Sequence, residues 1–119
     1  MTHPHKRALV ADDEENICAV LQRLMRSMGW QVDVAHDGLK ARDLLLAQTY
    51  DIVYFDCNMP ELSGKDLIQH IKQSNPKAKT VMISGDDQLD TKTANKLGID
   101  LFLQKPFSLD MIRTQLVGL

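Results

Sequence analysis

Five short apolar runs alternate along this chain with longer segments whose apolar residues recur every three or four positions. A brief apolar run suits a buried strand, and a three-four recurrence over a longer stretch suits a helix with one face turned inward. The runs are Ala8-Leu9-Val10-Ala11, Val32 to Ala35 with Asp33 alternating inside it, Ile52-Val53-Tyr54-Phe55, Val81-Met82-Ile83 and Leu101-Phe102-Leu103. Strand and helix in strict alternation predict an α/β fold, a doubly wound five-stranded parallel sheet with five helices covering both faces.

The helical segments carry their own punctuation. Over residues 16–28 the stripe is Ile17, Val20, Leu21, Leu24, Met25 and Met28, with acids at its entry and Gly29 as a stop. Asp37-Gly38 reads either as a hairpin turn or as a helix start with Asp37 at the N-cap, and the helical spacing of Leu39, Arg42, Leu45 and Leu46 favours the second. Leu67, Ile68 and Ile71 mark a third helix ending before Pro76. Residues 89–97 read as a fourth helix of poor propensity, with Thr91, Thr93 and Asn95 inside it and Gly98 closing it. Residues 109–117 form the fifth.

At 119 residues and 44% hydrophobic, the chain can bury one core and reads as a single domain over 1–119. Within it, residues 1–5 read as a disordered N-terminal tail, where His3 and His5 are terminal side chains rather than a metal pair. Fourteen basic against sixteen acidic residues argue against binding nucleic acid or an anionic membrane through bulk charge. No apolar run approaches a membrane span, and the apolar stretch after the basic start is too short for a secretory signal. Two cysteines, Cys18 and Cys57, make no disulfide framework, so the expected location is the cytoplasm. Cys18 reads as packing, Cys57 as a quiet thiol, and Trp30 as a cover over the core edge.

In a parallel sheet all strand ends of one polarity share an edge, and ligands gather beyond the carboxyl ends. The first strand ends at Asp12 and Asp13, the third at Asp56, the fourth at Ser84, and the fifth shortly before Lys105. Carboxylates brought together at about 5 Å repel by about 3 kcal/mol per pair at an effective dielectric of about 20. A hard divalent cation relieves this, and oxygen ligands with room for water suit Mg²⁺. Lys105 and Ser84 could then hold phosphoryl oxygens while a carboxylate attacks phosphorus. Asp56 is the central candidate, because the third strand is expected between the first and the fourth.

The acidic pair Asp12-Asp13, the run Asp56-Cys57-Asn58-Met59-Pro60, Gly64, Ser84-Gly85 and Lys105-Pro106, in this order and spacing, resemble the receiver domain of bacterial two-component response regulators. The resemblance extends over residues 6–119 and implies the flavodoxin-like strand order 2-1-3-4-5. It implies that Asp56 accepts a phosphoryl group from a phosphohistidine on a sensor histidine kinase or histidine phosphotransfer protein. It further implies that Asp12, Asp13, Asp56 and the backbone carbonyl of Asn58 hold Mg²⁺, that Lys105 pairs with the phosphoryl group, and that Ser84 moves to hydrogen-bond it. Phe102 falls at the aromatic switch position, and the Lys105-Pro106 peptide is expected to be cis. Asn58 and Asp86 fall where the approach of a hydrolytic water is tuned. Ser84 stands where threonine is commoner, and Cys57 where apolar residues are common.

The same resemblance makes the first helix the kinase-docking face, and the fourth helix, fifth strand and fifth helix a surface for switching or dimerisation. A downstream effector, as a further domain or a separate protein, is the expected recipient of the signal. Apart from self-catalysed transfer to Asp56 and its autodephosphorylation, no enzyme activity is expected. Other readings fit less well. A haloacid-dehalogenase-like phosphatase needs an acid two residues after its nucleophile, where Asn58 stands, and carries that nucleophile on the first strand. A nucleotide-binding turn after the first strand calls for glycines, where this chain has acids. A degenerate receiver serving only for docking has no need of Ser84, Lys105 and an intact set of acids.

Overall fold

A computed structural model describes residues 6–57, 59, 62, 64–85 and 96–117, with the backbone alone at 64 and 65. The strands are β1 (Arg7–Ala11), β2 (Gln31–Ala35), β3 (Ile52–Asp56), β4 (Lys79–Ser84) and β5 (Leu101–Gln104). The described helices are α1 (Glu15–Ser27), α2 (Gly38–Ala47), α3 (Gly64–Ser74) and α4 (Leu109–Leu116). All pairings are parallel, and the strand order is β2-β1-β3-β4-β5. This is the doubly wound sheet expected from the alternation. The helix expected over 89–97 lies outside the described residues apart from its end, where Lys96 is helical and Gly98 takes a φ of +79°. Residues 1–5 are likewise outside.

Each strand sends alternate side chains to opposite faces, and the two faces become two cores. On one, Leu9, Ala11, Val53, Phe55 and Met82 pack with Ala41 and Leu45 of α2 and Leu67, Ile68 and Ile71 of α3. On the other, Ala8, Val10, Ile52, Tyr54, Ile83 and Leu103 pack with Cys18, Leu21, Leu24 and Met25 of α1 and Ile112 and Leu116 of α4. The central strand β3 is buried at every position, as a strand covered on both sides must be. Trp30 belongs to the second core and is only 6% exposed, so it is a core residue rather than a rim cover.

Strand ends run slightly further than the apolar runs, because ladder hydrogen bonds do not require apolar side chains. Lys79 and Thr80 open β4, and Asp56 is the last residue of β3 rather than the first of a loop. Asp37 does cap α2, its Oδ1 accepting from the Lys40 amide at 2.7 Å, so the hairpin alternative fails. Gly29 follows α1 with a φ of +92°, a conformation that favours glycine. Among the described residues no helix is long and apolar enough to cross a membrane.

Candidate functional site

The sheet order puts β1 and β3 side by side at its centre, with β4 next to β3, so the groups at their carboxyl ends converge. Asp12 follows β1 directly and is fully buried, Asp56 ends β3 and is 7% exposed, and Asp13 is exposed. One carboxylate oxygen from each of the three can be chosen so that all lie within 4.8 Å of one another. Ser84, fully buried, ends β4, with Asp56 and Ile83 in register beside it. Lys105 leaves β5 through an amide that donates to the Ser84 carbonyl at 2.8 Å.

The Lys105 ammonium reaches three acids: Glu14 Oε1 at 2.8 Å, Asp12 Oδ2 at 3.2 Å and Asp56 Oδ2 at 3.6 Å. Burial by itself would lower the pKa of this lysine. The Glu14 hydrogen bond and the charges of Asp56 and Asp12 more than offset that, and the net direction is upward. Lys105 is therefore a fixed cation facing the acids.

The two oxygens of Asp12 differ. Oδ1 accepts from the Glu14 amide at 2.9 Å, whereas the buried Oδ2 accepts no hydrogen bond among the described residues and pairs with the Lys105 ammonium at 3.2 Å. A buried carboxylate oxygen left in this way is costly unless something binds it. An all-oxygen set, two of its members buried and one open to water, matches the preference of Mg²⁺ for carboxylates with retained waters. The residues fit that ion. The carbonyl oxygen of Asp12 is also engaged, accepting from the Cys18 thiol at 3.2 Å and lying 3.4 Å from His36 Nδ1. Burial, reinforced by the Asp12 charge, pushes the Cys18 thiol up to about 11, so Cys18 packs as a neutral group.

Residues 8–117 match the response regulator receiver domain family over nearly the whole chain. The chain belongs to that family. ZraR, a transcriptional regulatory protein of Escherichia coli K12, is 32% identical over 117 residues, which are 98% of this chain and 26% of ZraR. The chain spans between about a quarter and about half of the length of several curated relatives that it matches. A Burkholderia pseudomallei response regulator, solved with a phosphorylated aspartic acid, a calcium ion and citrate, is 28% identical with a TM-score of 0.83, over 95% of this chain and 67% of its own. The response regulator TrrA of Thermotoga maritima, in complex with Mg²⁺ and BeF, is 27% identical with a TM-score of 0.81, over 92% of this chain and 95% of its own.

Within this receiver domain, Asp12, Asp13, Asp56, Ser84 and Lys105 are all at the carboxyl edge where the strand ends placed them. The Lys105-Pro106 peptide is cis. Phe102 is partly buried and packs against the core shared with α2 and α3. Asn58 and Asp86 lie outside the described residues. Two partners escaped the sequence reading. Glu14, one of the acids at the entry of α1, is the nearest carboxylate to Lys105 among the described residues. Cys57 looked quiet, yet its thiol donates to Ser84 Oγ at 3.2 Å. The run Asp12-Asp13-Glu14-Glu15 carried a signal for the first, and nothing in the chain pointed to the second.

Proposed function

We propose that this receiver domain takes a phosphoryl group onto Asp56 from a phosphohistidine on a histidine kinase or phosphotransfer protein. A carboxylate oxygen of Asp56 attacks phosphorus as the P–N bond breaks, and the donor imidazole leaves with the electron pair and takes up a proton. Asp12, Asp13 and Asp56, with the backbone carbonyl of Asn58, would hold Mg²⁺. That ion, when bound, neutralises charge on the carboxylates and on the incoming phosphoryl oxygens. Lys105 pairs with one phosphoryl oxygen and the Ser84 hydroxyl donates to another. Water attack on phosphorus later breaks the acyl phosphate and restores the carboxylate, and Asn58 and Asp86 tune its approach.

The observation that carries this reading is the convergence of Asp12, Asp13 and Asp56 within 4.8 Å, with the Lys105 ammonium 3.6 Å from Asp56. Asp56 ends the third strand, not the first, which sets it apart from a haloacid-dehalogenase nucleophile. Transfer requires Lys105 to exchange Glu14 for phosphate, and the new charge of roughly −1.5 to −2 supplies the pull. Phe102 and the surface of β5, α4 and segment 89–97 would relay the change to an effector or a second copy. A groove of 560 Å³ between α1 and α4, lined by Val20, Leu24, Leu109 and Arg113, suits docking of the phosphodonor protein. Such partners place the domain in the cytoplasm.

Incubation with Mg²⁺ and acetyl phosphate, followed by intact mass spectrometry, is expected to add one phosphoryl group to wild type and none to Asp56→Ala. Label retained by the variant, or indifference to removal of Mg²⁺ with a chelator, would remove Asp56 from this role.

A further inference from the structure

We propose that Glu14 is a positioning residue that withholds Lys105: its carboxylate occupies the ammonium until a phosphoryl oxygen displaces it, and so holds back phosphorylation of the resting domain. This inference rests on the phosphoacceptor reading of Asp56. Glu14 is the N-cap of α1, a place where short polar side chains accept hydrogen bonds from the first-turn amides. Its own side chain makes no such bond. Its backbone is tied on both sides, the amide donating to Asp12 Oδ1 at 2.9 Å and the carbonyl accepting from the Cys18 amide at 3.2 Å. The carboxylate instead spans 91 positions of the sequence, its Oε1 accepting from Lys105 Nζ at 2.8 Å.

The three acids around that ammonium differ in how easily they let go. Asp12 and Asp56 pair with it at 3.2 and 3.6 Å, and their side chains are 0% and 10% exposed. Glu14 is closer, yet its side chain is 59% exposed. A buried carboxylate that loses its cation is strongly destabilised, whereas an exposed one is taken up by water and its ion pair is worth little. Glu14 is therefore the partner that an incoming anion displaces, while Asp12 and Asp56 stay beside the ammonium. Nζ keeps its protons throughout, and one ion pair replaces another. Because the Glu14 contact exists only before the phosphoryl oxygen arrives, it stabilises the starting state alone, and its loss speeds the reaction.

Labelling with acetyl phosphate at saturating Mg²⁺ tests this on wild type and two variants. Glu14→Ala removes both the charge and the contact. Glu14→Asp keeps the charge but is one methylene shorter, so its carboxylate falls to the first-turn amides, as that of a capping aspartate does. Both variants should take label about two- to fivefold faster than wild type, the worth of an exposed ion pair. Binding of fluoroberyllate with Mg²⁺, followed by calorimetry, should tighten by a similar factor, since that ligand takes the phosphoryl place with no bond to phosphorus broken. A gain of this kind is not what losing a merely structural contact gives. Equal rates in all three chains, or slower labelling in the variants, would overturn the assignment. So would faster labelling in Glu14→Ala alone, which reports only repulsion between the Glu14 charge and the donor. A wild-type chain that takes neither label nor fluoroberyllate would sink the phosphoacceptor reading, and this inference with it.

Discussion

Asp12 shows how one side chain can be both anchored and unsatisfied. Its Oδ1 ties down the start of α1 through the Glu14 amide, and its buried Oδ2 has the Lys105 ion pair but no hydrogen bond among the described residues. An asparagine would keep the first contact and remove the charge behind the second. Asp12→Asn is therefore expected to raise the melting temperature in the absence of divalent ions, by relieving repulsion of up to about 3 kcal/mol between neighbouring carboxylates. It should also lose most of the stabilisation that millimolar Mg²⁺ gives wild type, since an ion that binds only the folded state stabilises it by mass action. Thermal melts of both proteins with and without Mg²⁺ check this; an equal Mg²⁺ shift in the two would contradict the ion site. The acid pair was legible from its position after an apolar run. The inequality of its oxygens was not, because it depends on where the neighbouring strand and Lys105 lie.

At the scale of elements, the junction of α2 with the loop after β3 connects local sequence to the site. Asp37 caps α2, and Gly38 is the first helical residue. Helix propensity alone says that alanine there would be better than glycine. A Cβ on Gly38, however, would collide with the Cβ and backbone of Leu62, in the loop that follows Asp56 and Cys57. Gly38→Ala is thus expected to destabilise the fold by about 1–3 kcal/mol, the range for overpacking a tight contact. Urea denaturation measures it, and a neutral or stabilising result would show that the loop yields. The start of α2 was readable from the Asp37 cap and the helical spacing after it. The reason for glycine was not, since Leu62 is distant in sequence and meets Gly38 only in the tertiary fold.

Across the whole molecule the two tyrosines sample the two cores. Tyr50 is buried on the α2–α3 side and donates to Asp33 Oδ2 at 2.7 Å; Tyr54 is buried on the α1–α4 side and donates to Gln115 Oε1 at 2.9 Å. Burial raises both phenols, and for Tyr50 the Asp33 hydrogen bond and charge add to it. The folded chain therefore keeps protons that the unfolded chain releases near pH 10, so this stabilisation is complete below that pH and is lost as pH rises beyond it. Tyrosinate absorbance is expected to appear only together with loss of helical circular dichroism. Ionisation near pH 10 in a chain that keeps its dichroism would contradict the burial of both rings. What the sequence determined by itself is the alternation of strand and helix, the chain positions of the strand ends, and the acids, hydroxyl and ammonium found there, because period and punctuation are local properties. Tertiary structure decided which of those groups touch. Glu14 reaches Lys105, Cys57 reaches Ser84, and Leu62 closes on Gly38, each joining residues whose neighbourhood is created only by the packing of parallel strands that lie far apart along the chain.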